Sequence, residues 1–121
     1  MQHRVKGRIL SRRSGQRRAL LKTLLGSLIM EERIMTTQAK AKELKNFIDQ
    51  LVNKGKRAAS EPTKRVSLLR ELKTKLPSEA SMKLASEFSK RFESRKSGYT
   101  RVTKLERRKS DSAEMAVIEF V

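Results

Sequence analysis

Residues 115–121 read MAVIEFV and residues 99–105 read YTRVTKL, and these two stretches decide the fold class. The first is rich in β-branched and other apolar residues, which is typical of a buried strand. In the second, residues 99, 101, 103 and 105 alternate with residues 100, 102 and 104, as the side chains on the two faces of a strand do. The charged residues 106–114 connect them, so we expect an antiparallel pair. Because two strands alone are marginal in water, helices must cover one face. The chain end therefore predicts an α+β fold.

The pattern of a first helix runs from Arg17 to about Met30, with Ser14 as a plausible N-cap. Gly26 lies inside it, where it costs a little helix stability and allows close packing. The apolar side chains of this helix follow the spacing i, i+3, i+4, i+7, namely Leu21, Leu24, Leu25 and Leu28. The short segment 32–36 that follows is compatible with a strand.

A second helix is predicted from Thr36 or Thr37, either of which serves as its cap, to about Lys54. Residues 55–60 are then interpreted as a loop. The apolar stripe of this helix is expected to face the core, and it consists of Leu44, Phe47, Ile48, Leu51 and Val52.

Residues 60–62 (Ser-Glu-Pro) have the composition of a helix start, and Pro77 ends the third helix that follows. A fourth helix is expected to open at Ser78 and to stop before Gly98. Its inward-facing residues are predicted to be Met82, Ala85, Phe88 and Phe92. The expected fold is thus α+β, with about four helices packed on a small two- to three-stranded sheet and a basic N-terminal extension.

The length of 121 residues fits one compact domain. Residues 1–15 show no apolar period, and glycine and serine interrupt them, so we predict an extended basic arm that becomes ordered on a partner. Residues 16–121 are predicted to form a single globular α+β domain.

The charge balance is the strongest functional signal. The chain has 30 Lys and Arg against 13 Asp and Glu, which gives a formal net charge of +17. Like charges at that density repel one another in the compact state, and a polyanion relieves the repulsion. Nucleic acid is the commonest intracellular polyanion, and its binding releases condensed counterions.

Several kinds of chemistry have no candidate residues in this sequence. The absence of cysteine excludes disulfides and thiolate metal sites. His3, the one histidine, lies in the predicted arm, where it lacks the fixed geometry that acid–base catalysis or metal binding needs. No glycine-rich phosphate loop and no apolar run of membrane-spanning length is found. We therefore expect neither an enzyme nor a cofactor.

Three groups of residues are candidates for binding RNA. The first lies in the arm and first helix, where eight cations occur before the first acid; a phosphate-binding role is favoured there over a merely solvated surface. It comprises His3, Arg4, Lys6, Arg8, Arg12, Arg13, Arg17, Arg18 and Lys22.

The second group surrounds the start of the second helix, where free amides could hold a phosphate or where an ordinary cap could lie. It comprises Arg33, Thr36, Lys40 and Lys42. The third group lies near the C-terminus, where Tyr99 either stacks on a base or is a half-buried strand residue, the second being favoured. It comprises Tyr99, Arg101, Arg107, Arg108 and Lys109.

Several segments together resemble the bacterial large-subunit ribosomal protein family numbered seventeen. They are HRVKGR (3–8), RRALLKTLLGSLI (17–29), ERIMTTQAKAKELK (32–45), SGYTRVTKL (97–105) and DSAEMAVIEFV (111–121). The resemblance covers nearly the whole chain in order and is weakest at about residues 56–85. Two departures occur, at Gln2 and at Gly15–Gln16, and each implies the loss of one RNA contact.

The resemblance implies a compact α+β domain with an N-terminal extension, which binds large-subunit ribosomal RNA near the exit of the nascent-peptide tunnel. It also implies neighbouring large-subunit ribosomal proteins as partners, a cytoplasmic location in the ribosome, no small-molecule substrate and no cofactor. The basic N-terminal stretch of the family matches Arg4, Lys6, Gly7, Arg8, Arg17 and Arg18 here.

Three other interpretations were weighed. An Arg-rich, acid-poor N-terminus also fits a mitochondrial presequence, but the resemblance begins inside the arm, so we expect the arm to belong to the mature protein. A nucleoid-type DNA-binding protein would share the charge, yet the chain offers no clear recognition helix. A membrane-surface helix at residues 19–30 is less well supported than a core helix.

Overall fold

The computed structural model describes residue 10 and residues 12–121, and in that part it has an α+β architecture. Helices and strands alternate at first and then segregate, with the helices in the middle of the chain and two strands at its end. The helices are α1 (Ser14–Glu31), α2 (Gln38–Ser60), α3 (Arg65–Lys75), α4 (Ser78–Leu84) and the single turn α5 (Glu87–Lys90). The strands are β1 (Arg33–Thr37), β2 (Thr100–Lys104) and β3 (Met115–Phe120).

The three strands form one antiparallel sheet in the order β1-β3-β2. The sequence predicted the antiparallel pairing of the two C-terminal strands and a short strand near residues 32–36, and both are confirmed. Ile34, Ile118 and Val102 lie in one row of the register and point toward the helices. β3 occupies the centre because it is the most apolar strand, so it can be buried on both edges.

The core lies between the inner face of the sheet and the helices, with α2 at its centre. Leu44, Ile48 and Val52 of α2 are fully buried, as the predicted apolar stripe requires. Phe92 and Tyr99 meet edge to face, with ring centroids 5.3 Å apart, and fill the space between α5 and the sheet. Phe47, by contrast, is 39% exposed, so its place in the predicted stripe is wrong.

The predicted loop at residues 55–60 is wrong, because α2 continues through it to Ser60. Gly55 is buried where α2 crosses the end of α4; a Cβ there would lie 2.5 Å from the Leu84 carbonyl oxygen. The glycine thus serves close packing within a helix and does not end it, since tertiary contacts compensate for its low helix propensity. Gly26 likewise lies against Pro77, which confirms the expected close packing at that position.

The predicted fourth helix starts at Ser78 as expected but is broken at residues 85–86. The break redirects the chain so that Phe88 and Phe92 both reach the core, where they contact Phe120. Met82 was predicted to face inward, yet it is 47% exposed on the outer side of α4. A single 3-10 turn at Pro62–Lys64 precedes α3, and α3 ends just before Pro77, as predicted.

At the N-terminal side, α1 begins at Ser14, three residues before the predicted start. Arg13 occupies the N-cap position and Ser14 is already helical, so the proposed Ser14 cap is wrong. The predicted arm lies largely outside the described residues, and its conformation and the domain boundary at residue 15 stay predictions. None of the helices described in residues 12–121 is long and apolar enough to cross a membrane.

Candidate nucleic-acid interface

Helix α1 consists of two halves with different environments. Its buried residues all lie in the C-terminal half, between Leu25 and Ile29, where the helix packs on α4 and β1. Before Leu25, the leucines Leu20, Leu21 and Leu24 are only partly buried, and most of the other side chains are exposed. The first turns of α1 therefore extend beyond the core and present most of their side chains to solvent.

These first turns and the two residues before them carry five cations, and we call residues 12–22 the basic segment. Its cations are Arg12, Arg13, Arg17, Arg18 and Lys22. No carboxylate forms an ion pair with any of them in the part of the chain that the structure describes. The first acid in the sequence is Glu31, the last residue of α1, so no acid lies within the basic segment itself.

Two arginines of the basic segment are oriented by backbone carbonyls. Arg12 donates a hydrogen bond to the Leu10 carbonyl oxygen at 2.7 Å, and Arg17 donates a longer one to the Arg12 carbonyl at 3.4 Å. Each guanidinium has five N–H donors, so most of them remain available for a phosphate or a base edge. These two guanidinium groups are therefore already oriented in the free protein, and their remaining donors can bind a polyanion. The remaining arm candidates, His3, Arg4, Lys6 and Arg8, lie outside the described residues.

The far end of α1 is anchored through Glu32, which ends the helix in a left-handed conformation (φ 65°). Its carboxylate pairs with Arg91 and with Lys83, and its backbone carbonyl accepts a hydrogen bond from Phe120. The hydrogen bond from Arg91, more than any other contact, lowers the pKa of Glu32, against the opposing effect of partial burial. This junction sets the direction in which the basic segment extends from the core.

The second predicted group is divided by the structure. Thr36 is buried in β1, so its predicted RNA contact is wrong: the side chain faces the interior. Arg33 is exposed and 3.7 Å from Glu119, while Lys40 and Lys42 lie on the outer side of α2.

At the start of α2, the backbone N–H and the side chain of Gln38 already have partners within the protein. The Gln38 amide donates to the Glu114 carbonyl oxygen at 2.8 Å, and the Gln38 side-chain nitrogen faces Glu114 Oε2 at 2.9 Å when its amide is oriented to satisfy both partners. A carboxylate at this helix N-terminus supplies the negative charge that a phosphate would bring. The structure therefore favours an ordinary helix start over a phosphate site there.

The arginines of the third group are paired within the protein. Arg101 contacts Glu119 at 3.0 Å across the sheet, and Arg107 contacts Glu114 at 3.3 Å. Arg108 binds both carboxylate oxygens of Asp111, at 3.0 and 2.7 Å. The bidentate contact lowers the pKa of Asp111 to about 2. Lys109, in contrast, is exposed and forms no ion pair with a described residue.

Tyr99 is the clearest correction among the candidate residues. Its side chain is fully buried, its ring packs on Phe92, and its hydroxyl donates to Asn53 Oδ1 at 2.6 Å. Its backbone N–H donates to Asp49, as does that of Gly98. The ring is enclosed on all sides and has no face free to stack on a base. It is fully buried just before β2, whereas the favoured interpretation was a half-buried strand residue.

One group of cations was missed by the sequence reasoning. Lys56 and Arg57 near the end of α2 lie beside Lys90 of α5 along a common cleft. The sequence predicted a loop at residues 55–60, so these two cations were not expected on a helix. No local signal links residues 56–57 with residue 90, because only the packing of α5 on α2 brings them together.

Comparisons with known proteins give one consistent result. Residues 20–121 match the family model described as "Ribosomal protein L17". The chain is 46% identical over 122 residues to the large ribosomal subunit protein bL17 of Thermodesulfovibrio yellowstonii, with all of this chain and 87% of that protein covered. It is 43% identical over 123 residues to bL17 of a Hydrogenobaculum species, with coverage of 100% and 99%. For bL17 of Anaeromyxobacter sp. (strain K), identity is 42% over 121 residues, with coverage of 100% and 73%.

Proposed function

The chain belongs to the ribosomal protein L17 family, and from this membership we propose how its charge is used. Membership makes it a structural constituent of the large ribosomal subunit, and so a ribonucleoprotein component in translation. Within the cytoplasmic ribosome, the protein binds large-subunit RNA through the basic segment. It lies near the exit of the nascent-peptide tunnel, has neighbouring ribosomal proteins as partners, and catalyses no reaction.

The observation that carries RNA binding is the uncompensated basic segment on the half of α1 that extends beyond the core. Five cations without an acid partner repel one another in the free protein, so a polyanion gains the full interaction with each of them. The side chains that hold the fold lie in the other half of α1, so binding does not compete with packing.

The mechanism is neutralisation of phosphates where RNA helices converge. Arginine forks onto two phosphate oxygens at once and also stacks on unpaired bases, which suits irregular RNA. Affinity comes from the phosphates and selectivity from the shape of the folded RNA, since the deep major groove of an RNA helix hides its base edges.

Salt titration of RNA binding tests this function. The full chain is bound to a transcript of large-subunit RNA and, separately, to duplex DNA of random sequence, both at several salt concentrations. If roughly six or more phosphates are contacted, affinity for the RNA should fall on the order of a thousandfold between low and physiological salt. A flat salt dependence, or equal affinity for duplex DNA at physiological salt, would contradict the proposal.

The position near the tunnel exit needs a separate test. The chain has no cysteine, so a single reporter cysteine can be introduced and loaded with an iron chelate that cleaves nearby RNA. Ser110→Cys places the chelate on the exposed connection between β2 and β3, and Ser67→Cys places it on α3 as a matched control. In reconstituted large subunits, RNA cleavage should cluster around the tunnel exit. Cleavage confined to distant RNA would overturn the location without affecting RNA binding.

A further inference from the structure

A cleft of about 370 Å³ opens between the last turns of α2 and the short helix α5. Lys56 and Arg57 line it from α2, Lys90 lines it from α5, and Glu93 is the one acid among the described side chains of its wall. Ala59 and the aliphatic stems of the cations make the rest of the wall largely apolar. The cleft thus combines an excess of positive charge with apolar surface.

Lys56 is held in place by groups that leave its charge uncompensated. Its ammonium donates to the Arg95 carbonyl oxygen at 2.5 Å and to the Tyr99 hydroxyl at 3.2 Å, and it lies 5.3 Å from the centre of the Tyr99 ring. These partners are neutral, and an ammonium has three donors, so one donor and the full charge remain. A cation that is fixed before its ligand arrives loses little entropy on binding.

The two other cations, Arg57 and Lys90, are exposed. Arg57 and Lys90 form no ion pair with any described residue, and the hydroxyls of Ser60 and Ser89 are bonded to carbonyls of their own helices. Three cations against one carboxylate leave a net positive charge in the cleft. Exposed arginines elsewhere in the chain are often paired with acids. The positive charge of the cleft is not balanced in this way, which favours the binding of an anion.

We propose that this cleft binds one backbone phosphate of large-subunit RNA, with the attached ribose against the apolar wall. The site lies outside the basic segment, on α2 and α5, so it adds a second contact to the proposed RNA-binding function, on which it rests. A phosphodiester has two free oxygens, which engage the Lys56 ammonium and the Arg57 guanidinium together, and its ribose covers the apolar part of the wall. Lys90 closes the cleft from the opposite wall.

The test is the double variant Arg57→Gln/Lys90→Gln, which spares Lys56 because that side chain also supports Tyr99. The matched control is Arg70→Gln/Lys73→Gln, which removes one exposed arginine and one exposed lysine from α3. Both variants lose the same charge. The cleft variant should bind the RNA transcript roughly tenfold more weakly, and its salt slope should fall by about one to two. The control should keep the slope of the wild-type chain.

Two results would overturn the site: an unchanged salt slope in the cleft variant, or an equal loss of RNA binding in the control. Titration of the full chain with inorganic phosphate, followed through the amide resonances of residues 56–60 and 90, separates the sources of the ligand. Shifts with inorganic phosphate but an unchanged RNA slope mean a free-anion site and contradict the RNA assignment. If the basic segment alone proves necessary for RNA binding, the proposed function stands and the cleft proposal fails.

Discussion

The basic segment and the connection between β2 and β3 both contain adjacent arginines, but they differ in what lies beside the charges. Arg107 and Arg108 have Glu114 and Asp111 within hydrogen-bond distance, whereas Arg17 and Arg18 have no acid partner among the described residues. Exposed pairs of this kind contribute little to stability, but each one lowers the charge that a polyanion meets. The difference indicates that the cations best placed to bind a polyanion are those without an acid partner nearby, and that the number of cations matters less.

The two regions also differ in how far they support the fold. β3 is buried along nearly its whole length, while the basic segment contributes no fully buried side chain. The proposed RNA-binding surface and the most buried strand are therefore different stretches of chain, and substitutions should separate their effects on binding and on stability.

The largest expected effect is on RNA binding. Replacing Arg12, Arg13, Arg17 and Arg18 with glutamine should weaken binding of large-subunit RNA by at least about a hundredfold, because four uncompensated phosphate contacts are lost. The melting temperature should stay nearly unchanged, since these side chains lie outside the core and repel one another. Filter binding and thermal melting measure the two effects.

The matched control for this variant removes the same charge from the paired region, through Arg101→Gln, Arg107→Gln, Arg108→Gln and Lys109→Gln. Because three of these four cations already have acid partners, binding should fall by less than about tenfold. Equal losses in the two variants would mean that net charge alone drives binding. Unfolding of the first variant would mean that the basic segment supports the core after all.

The next effect concerns stability within α1 itself. Leu28 is fully buried, so Leu28→Ala should lower the free energy of unfolding by about 2–5 kcal/mol through lost burial and a residual cavity. Leu21 is only partly buried beside the basic segment, so Leu21→Ala should cost roughly 1 kcal/mol. Urea unfolding compares the two. A cost at Leu21 as large as that at Leu28 would contradict the division of α1 into two halves.

Two helical glycines test the same contrast between the core and the start of α1, with smaller expected changes in the free energy of unfolding. Gly55→Ala should destabilise by about 1–3 kcal/mol, because the new Cβ would press on the Leu84 carbonyl. Gly15→Ala, where nothing lies within 4 Å, should stabilise by a few tenths up to about 1 kcal/mol through higher helix propensity. Chemical denaturation measures both. Destabilisation by Gly15→Ala would show that the start of α1 is more closely packed than the structure has it.

The smallest expected effect is on acid stability. Glu32 and Asp111 have pKa values below their ordinary ones, Asp111 at about 2, because cations bind their ionised forms. A depressed pKa adds stability that is complete above the ordinary pKa near 4 and is lost as the pH falls toward 2. Glu32→Gln should therefore lower the melting temperature by roughly 1–4 °C at pH 7 and by less at pH 3. Equal losses at the two pH values would rule out a contribution from the charge of Glu32.

Local patterns predicted most of the secondary structure, and their failures have a common cause. The period of the leucines identified α1, and Pro77 marked the end of α3, because both signals act within one turn of chain. The predictions at Gly55 and Met82 were wrong, because both positions depend on partners distant in sequence. Gly55 lies at a close helix crossing, and the helix that contains Met82 breaks shortly after it. The candidate site behaved likewise: the cations were visible, but their acid partners were not.

The sequence by itself determined the α+β class, the excess of positive charge and the acid-free first 30 residues, since composition and period are properties of the chain alone. Tertiary structure alone decided which cations remain free. It buried Tyr99 and Thr36, paired Arg101 with Glu119 across two strands, and brought Lys90 to the end of α2. The physical reason is that ion pairing and burial act over a few ångströms in space, and residues far apart in the chain reach that distance only after it folds.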